Sequence, residues 1–120
     1  MTTSSDSGFD CAEFALTVLD WLDDRETPSE SVDATLELLA NERRRLFLQV
    51  MRTYGEPLTL PDVAEEVAVR ETGSSVTELS AERVANVYIS LYHDHLPRLV
   101  DTNLLEYDQE RDLVSPVAID

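Results

Sequence analysis

Apolar residues recur three and four positions apart along most of the chain, which is the period of an amphipathic helix. Helices are predicted at residues 10–24, 32–40, 41–54 and 60–70, and in a longer stretch that follows Ser80. Two short strands are predicted at 104–108 and 113–117, around the polar segment Gln109–Asp112, which makes them a hairpin. Leu58 and Thr59 can supply a further short strand. The pattern therefore predicts a mainly α fold of the α+β class.

Each predicted helix has one face that should pack into a core. Arg43 falls within such a face, and because a buried arginine needs a partner we expect it to pair with a carboxylate. Arg43–Arg45 resembles a basic patch, but consecutive helix positions point in different directions, which favours separate structural and solvated arginines. The predicted inward residues are Leu46, Phe47, Val50, Met51 and Tyr54; Leu60, Val63, Ala64, Val67 and Ala68; and Val84, Tyr88, Leu91, Tyr92 and His95.

Several residues indicate where elements begin and end. Asn41 and Ser80 are predicted N-caps, and Asn103 suits the left-handed turn that ends a helix. Pro97 should kink or restart its helix near 93–97, because it cannot donate a hydrogen bond to the residue four positions earlier. Pro116 places its strand at an edge of the sheet or near the end of the strand. The connection 71–79 is long for a helix-turn-helix, so either a neighbouring helix is longer than predicted or the loop is an insertion.

The N-terminal region is predicted to be separate from the main domain. Residues 1–8 are small and polar and are expected to form a disordered arm. The helix at 10–24, capped by Ser7 or Asp10, is too short to be stable alone. We expect its apolar stripe to pack on the core, with pairing across a homodimer as the alternative. The stripe comprises Cys11, Phe14, Ala15, Val18, Trp21 and Leu22. The predicted organisation is an arm and amphipathic helix at 1–31, followed by one domain at 32–120.

The amino-acid composition indicates the class of protein and its environment. The 120 residues are 42% hydrophobic, with no apolar run of membrane-spanning length and no secretion signal, so we expect a soluble, cytoplasmic protein. The net charge is -16, from 25 acidic and nine basic residues, and all nine are arginine. Acids spread over the whole length favour a protein adapted to concentrated salt, where repulsion is screened. The alternative is an acidic protein that binds a partner or mimics nucleic acid.

Three stretches carry a family resemblance: LLANERRRLFLQVM (38–51), LTLPDVAEEVA (58–68) and YISLYHDHLPRLVDTNLLEYD (88–108). They resemble the winged helix-turn-helix domain of a group of uncharacterised haloarchaeal proteins and, more distantly, ArsR-type repressors. The resemblance covers about residues 32–115 and implies a cytoplasmic, dimeric, DNA-binding regulator, with an extra N-terminal helix and a C-terminal hairpin as the wing. Two features depart from the ArsR pattern. The 71–79 connection is longer, and the cysteine ligands of metal-sensing repressors are absent, so metal sensing is not implied.

The predicted DNA-binding residues are Arg83, Asn86, Ser90 and His93 on the recognition helix and Arg111 at the tip of the wing. Arginine can bind guanine or phosphate, and asparagine can bind adenine through two hydrogen bonds in the major groove. A wing arginine commonly contacts the DNA backbone or the minor groove. At ordinary salt a chain of charge -16 is repelled by DNA, and molar salt screens both this repulsion and the usual gain from counterion release. Base contacts would then have to supply much of the affinity.

The remaining chemistry is sparse. The pair His93 and His95 points in different directions on a helix, which does not suit a metal site. Gly-rich phosphate loops, nucleophile elbows and zinc-protease motifs are missing, so we expect neither an enzyme nor a bound cofactor. The leading hypothesis is a sequence-specific regulator that binds double-stranded DNA. The alternatives are a winged-helix module that binds another protein without DNA, and a DNA mimic that uses the acidic surface.

Overall fold

The computed structural model describes residues 10–25 and 29–117 and divides the chain into two compact units, 1–35 and 36–120. The elements, in chain order, are α1 (Cys11–Asp23), α2 (Ser29–Leu39), α3 (Glu42–Tyr54), β1 (Leu58–Thr59), α4 (Leu60–Thr72), a 3₁₀ turn (Val76–Glu78), α5 (Ala81–Ser90), a π turn (Leu91–His95), α6 (Leu96–Asp101), β2 (Leu105–Asp108) and β3 (Leu113–Pro116). The fold is mainly helical with a small antiparallel sheet, in the winged-helix layout that the sequence predicts. Within these ranges no helix is both long and apolar enough to cross a membrane.

Helix α1, in the first unit, agrees with the predicted helix to within one residue at each end. Asp10 caps it, because its Oδ1 atom accepts hydrogen bonds from the backbone N–H groups of Ala12 (3.0 Å) and Glu13 (3.3 Å). Helix α1 has no buried residue within its unit, and Trp21 is 54% exposed; the packing of its apolar stripe on the core or across a homodimer stays a prediction. An amphipathic pattern indicates which face is apolar but not whether another element covers that face. The predicted arm at 1–8, with Ser7, lies outside the described residues.

The core of the second unit is formed by α3, α4, the α5–α6 segment and the sheet. All five inward residues predicted for α4 are buried. On α3 the prediction missed Leu48, which is buried, and wrongly included Tyr54, which is 46% exposed. Tyr54 is the last residue of α3, and the chain turns away directly after it at Gly55, whose φ is 62°. The core comprises Phe47, Leu48, Val50, Met51, Leu60, Val63, Ala64, Val67, Ala68, Val87, Leu91, Leu96, Leu99, Leu105 and Val114.

The three strands form an antiparallel sheet in the order β1-β3-β2. The β2–β3 hairpin is the wing, and its bounds agree with the predicted strands to within one residue. The prediction placed Pro116 at an edge or near the end of its strand; β3 is the central strand, although β1 pairs with it only at Leu113 and Val114. The alternative, a position near the end of the strand, is confirmed: Pro116 is the last residue of β3, where a missing N–H group does least harm to the ladder.

The helix disruption predicted around Pro97 is confirmed, and it takes the form of a π turn. Pro97 has no N–H group to donate to His93, four residues earlier. The backbone N–H of Leu96 donates instead to Leu91, five residues earlier, as in a π-helix. After α6, Asn103 adopts a left-handed conformation with φ of 66°, as predicted.

Between α4 and α5, both alternatives predicted for 71–79 hold in part: a neighbouring helix is longer than predicted, and a long loop remains. Helix α4 extends two residues further than predicted, to Thr72, and ends at Gly73 with φ of 74°. The remaining segment includes the 3₁₀ turn and is still longer than a usual helix-turn-helix turn. Ser80 then caps α5 as predicted, with its hydroxyl accepting from the backbone N–H of Arg83 at 3.0 Å.

Candidate functional site

The three consecutive arginines of α3 do not form a basic patch. Arg43 pairs with Glu71 near the end of α4 through two contacts of 2.5 and 2.8 Å, which confirms the expected carboxylate partner. Arg44 is only 8% exposed and donates to the backbone carbonyls of Glu37 (3.1 Å) and Leu38 (2.6 Å). Arg45 is exposed and donates to the carbonyl of Leu39 at 2.7 Å. Arg44 and Arg45 thus cap the end of α2 through the carbonyls of Leu38 and Leu39, while the carbonyl of Glu37 also accepts from the backbone N–H of Ala40 at 3.3 Å.

Arg44 also contacts the buried His95 of the π turn, with its Nη1 atom 3.3 Å from Nδ1 of the imidazole. Because a guanidinium group only donates, Nδ1 accepts and the ring proton lies on Nε2. Burial lowers the pKa of His95, and the neighbouring charges of Asp94 and Arg44 act in opposite directions, the first raising it and the second lowering it. His95 is therefore a neutral core histidine, whereas His93 is exposed.

We predict that acid destabilises the fold through His95. Its folded pKa lies below the ordinary value of 6.5, so the unfolded chain takes up a proton that the folded chain resists. The contribution of neutral His95 to the free energy of unfolding should be complete above pH 6.5. It should decrease as the pH drops from 6.5 towards the lower pKa of His95 in the folded protein. The measurement is urea denaturation at several pH values between 7 and about 5. His95→Gln should flatten this dependence; a slope equal to that of the natural protein would contradict the assignment.

The residues predicted to bind DNA lie mainly on α5. Arg83 and Asn86 are exposed, Ser90 is partly buried, and His93 is exposed in the π turn that continues the helix. The guanidinium of Arg83 has no hydrogen bond or ion pair within residues 10–25 and 29–117, so it is available to a ligand. Glu82 and the 54% exposed Ile89 were not predicted as part of this surface, although helical spacing places both on the same side as Asn86 and His93.

Arg111, the fifth predicted residue, lies on the β2–β3 loop and is engaged with Asp108. Its Nε atom is 2.8 Å from Oδ2 of Asp108, and the Arg111 side chain is 73% exposed. Hydrogen bonding from Arg111 lowers the pKa of the Asp108 carboxyl. Glu110 and Asp112 complete the loop, so the tip of the wing carries three carboxylates and one guanidinium. A DNA phosphate would meet net negative charge there.

Asp112, which was not predicted as a site residue, joins the wing to α5. Its carboxylate accepts hydrogen bonds from the hydroxyls of Tyr88 on α5 (2.7 Å) and Tyr107 on β2 (2.5 Å). The bond to Asp112 raises the pKa of Tyr88 to about 12, while burial and the same bond raise that of Tyr107. The loop that carries Arg111 is thereby fixed beside α5. The only sequence signal for this arrangement is the Asp residue in a tight polar loop.

Residues 36–115 match a family model described as a domain of unknown function, DUF7344. The chain belongs to this family. The match covers the second compact unit almost completely, from the end of α2 to the last strand, and leaves out α1. Comparison of this DUF7344 protein with curated proteins and with solved structures gave no match.

Proposed function

We propose that this DUF7344 protein binds double-stranded DNA through the outward face of α5 and regulates transcription. The observation that carries the proposal is the exposed guanidinium of Arg83, which has no partner in the described part of the chain, one turn from the exposed amide of Asn86 on the helix that a winged-helix fold presents to the major groove. Both side chains can form paired hydrogen bonds with base edges, Arg83 with guanine and Asn86 with adenine. Ser90 and His93 extend the same surface.

The distribution of charge supports a particular form of binding. Most arginines are held by partners within the protein, and the wing tip is net negative, so few cations are available for phosphates. Binding should therefore depend weakly on salt, since the slope follows the number of phosphates neutralised. This suits a cytoplasm rich in salt, which is the setting that the net charge of -16 favours.

A homodimer is part of the proposal. The apolar stripe of α1 includes Phe14 (60% exposed) and Trp21 (54% exposed), and burying such residues against a second copy would remove apolar surface from water. Two copies would place two α5 helices on half-sites about one DNA turn apart. A palindromic target would follow.

The test is selection from random duplexes in molar KCl, followed by affinity measurement on the enriched sequence. Arg83→Ala with Asn86→Ala should weaken binding by about 10- to 100-fold per lost base contact. Arg52→Ala is the matched control, because Arg52 is also exposed and without a partner in the described ranges, but lies on α3. Light scattering of the complex gives the number of chains per duplex, and one chain would contradict the dimer. If nothing is enriched, or if both variants lose the same affinity, the DNA proposal fails.

A winged-helix module that binds another protein is the second candidate. The exposed Ile89 in the middle of the α5 face favours it, as do the carboxylates of the wing tip, because a protein partner can use an apolar contact and basic groups together. The same variants separate the two functions. A copurifying partner that stays bound to the Arg83/Asn86 double variant but is lost from Ile89→Asp would support this candidate over DNA binding.

A further inference from the structure

An open groove of about 400 Å³ lies between the wing and the helical segment that follows α5. The π turn and α6 form one side of the groove, and β2 with the hairpin loop forms the other. Its floor is apolar, with Leu96, Pro97 and Val100, and its other lining residues are Tyr92, His93, Asp101, Tyr107 and Gln109. Ligand sites commonly combine such an apolar lining with a few polar groups that fix orientation.

Several polar side chains of this groove have no hydrogen-bond partner in the described part of the chain. They are the hydroxyl of Tyr92, the carboxylate of Asp101, the amide of Gln109 and the imidazole of His93. The neighbouring Tyr88 and Tyr107 differ, because Asp112 accepts from both hydroxyls. The groove thus brings together hydrogen-bond donors and acceptors that have no partner in the described part of the chain, whereas the hydroxyls of Tyr88 and Tyr107 beside it are hydrogen-bonded.

Three aromatic rings line the groove. The ring of Tyr92 meets that of Tyr107 at 69° with centroids 6.1 Å apart, and that of His93 at 83° with centroids 5.0 Å apart. Such rings present electron-rich faces that attract cations. With histidine counted as neutral, Asp101 carries the only formal charge of the lining, and it is negative.

We propose that this groove binds a small organic cation with a flat apolar body, of the amidinium or guanidinium class. The cationic group donates to the carboxylate of Asp101, and the flat body lies on the apolar floor against the ring of Tyr92. The π turn, a feature frequent at functional sites, forms part of this wall.

The groove also shares His93 with the surface proposed to bind DNA. A ligand held there contacts a residue of that surface and the wing at the same time, and so should change DNA affinity. This regulatory consequence rests on the proposed function, whereas binding of the cation does not.

The experiment titrates the full chain with benzamidine and with its neutral isostere benzamide, and follows the tyrosine and histidine ring signals by NMR. Benzamidine should shift the signals of Tyr92, Tyr107 and His93, and should bind at least tenfold more tightly than benzamide. Asp101→Asn should weaken benzamidine binding about tenfold by removing the charged acceptor. The control Glu82→Gln removes one acid from α5 outside the groove and should leave the affinity unchanged.

Three results would overturn the cation site: no shift at these rings, equal affinity for benzamide, or equal losses in Asp101→Asn and Glu82→Gln, which would indicate attraction by overall charge. Because these titrations contain no DNA, they are independent of the proposed function. A second titration, with DNA present, addresses regulation. Benzamidine bound in the groove without any change in DNA affinity would refute the regulatory consequence and leave the site standing.

Discussion

Replacing Arg44 with alanine should lower the free energy of unfolding by about 3 kcal/mol, because the buried Nδ1 of His95 and the partly buried carbonyl of Leu38 would lose their donor and the side chain its packing. The guanidinium of Arg44 serves the carbonyls of Glu37 and Leu38 and Nδ1 of His95 at once. A buried acceptor left without a donor costs about 1–3 kcal/mol, and entry of water into the space recovers part of the sum. The measurement is equilibrium urea denaturation followed by circular dichroism.

The matched control for this prediction is Arg45→Ala. Arg45 also donates to a carbonyl at the end of α2, but it is exposed, and water can take its place at Leu39. We expect a loss below about 1 kcal/mol, as for a solvated hydrogen bond. Equal losses for the two variants would show that burial of the Arg44 guanidinium does not determine its contribution.

Asp112→Asn should lower the free energy of unfolding by about 2 kcal/mol and loosen the wing from α5. Hydrogen bonds to a charged acceptor contribute about 1.5–3 kcal/mol each, and partial exposure reduces the two formed by Tyr88 and Tyr107. Asparagine tolerates the left-handed conformation of residue 112, whose φ is 52°, so the effect on the hydrogen bonds is not mixed with backbone strain. Denaturation in urea measures the loss.

The same carboxylate makes the fold sensitive to alkali. Tyr88 has an ordinary pKa of 10.0 and a folded value of about 12, so its contribution is fully present below pH 10 and is lost as the pH rises towards 12. Absorbance titration of tyrosinate should show two tyrosines that ionise late in the natural protein and earlier in Asp112→Asn. Asp108→Asn, which removes an acid that contacts Arg111 instead, should leave the titration unchanged. Unaltered titration in Asp112→Asn would contradict the assigned contacts.

Local patterns were sufficient for most of the fold. The period of apolar residues identified every buried position of α4, and side-chain chemistry identified the caps Asn41 and Ser80. Errors arose where burial depends on what lies beyond an element. Tyr54 has the spacing of a core residue, but it is the last residue of α3 and is 46% exposed.

Contacts between distant parts of the chain could not be predicted in the same way. The spacing placed Arg43 in the apolar arc and correctly implied a carboxylate partner, but not that Glu71 would be that partner. Arg44 is the more deeply buried of the two, and it meets His95, 51 residues later in the chain. Four of the five residues proposed to bind DNA were selected from helix periodicity, which locates an exposed face but not the charge that the loop around Arg111 brings beside it.

The π turn has a consequence for the phase of the apolar stripe. Each residue of an α-helix advances about 100° around the axis, so an uninterrupted helix from Ala81 to Asp101 would turn Arg98 towards the core and Leu96 away from it. The wider π turn at Leu91–His95 contains one extra residue, so the residues that follow it are rotated by about 100° around the helix axis. Leu96 and Leu99 are therefore buried and Arg98 is exposed. The one extra residue in the π turn therefore keeps the apolar residues before it and the apolar residues after it on the same, core-facing side of the helix.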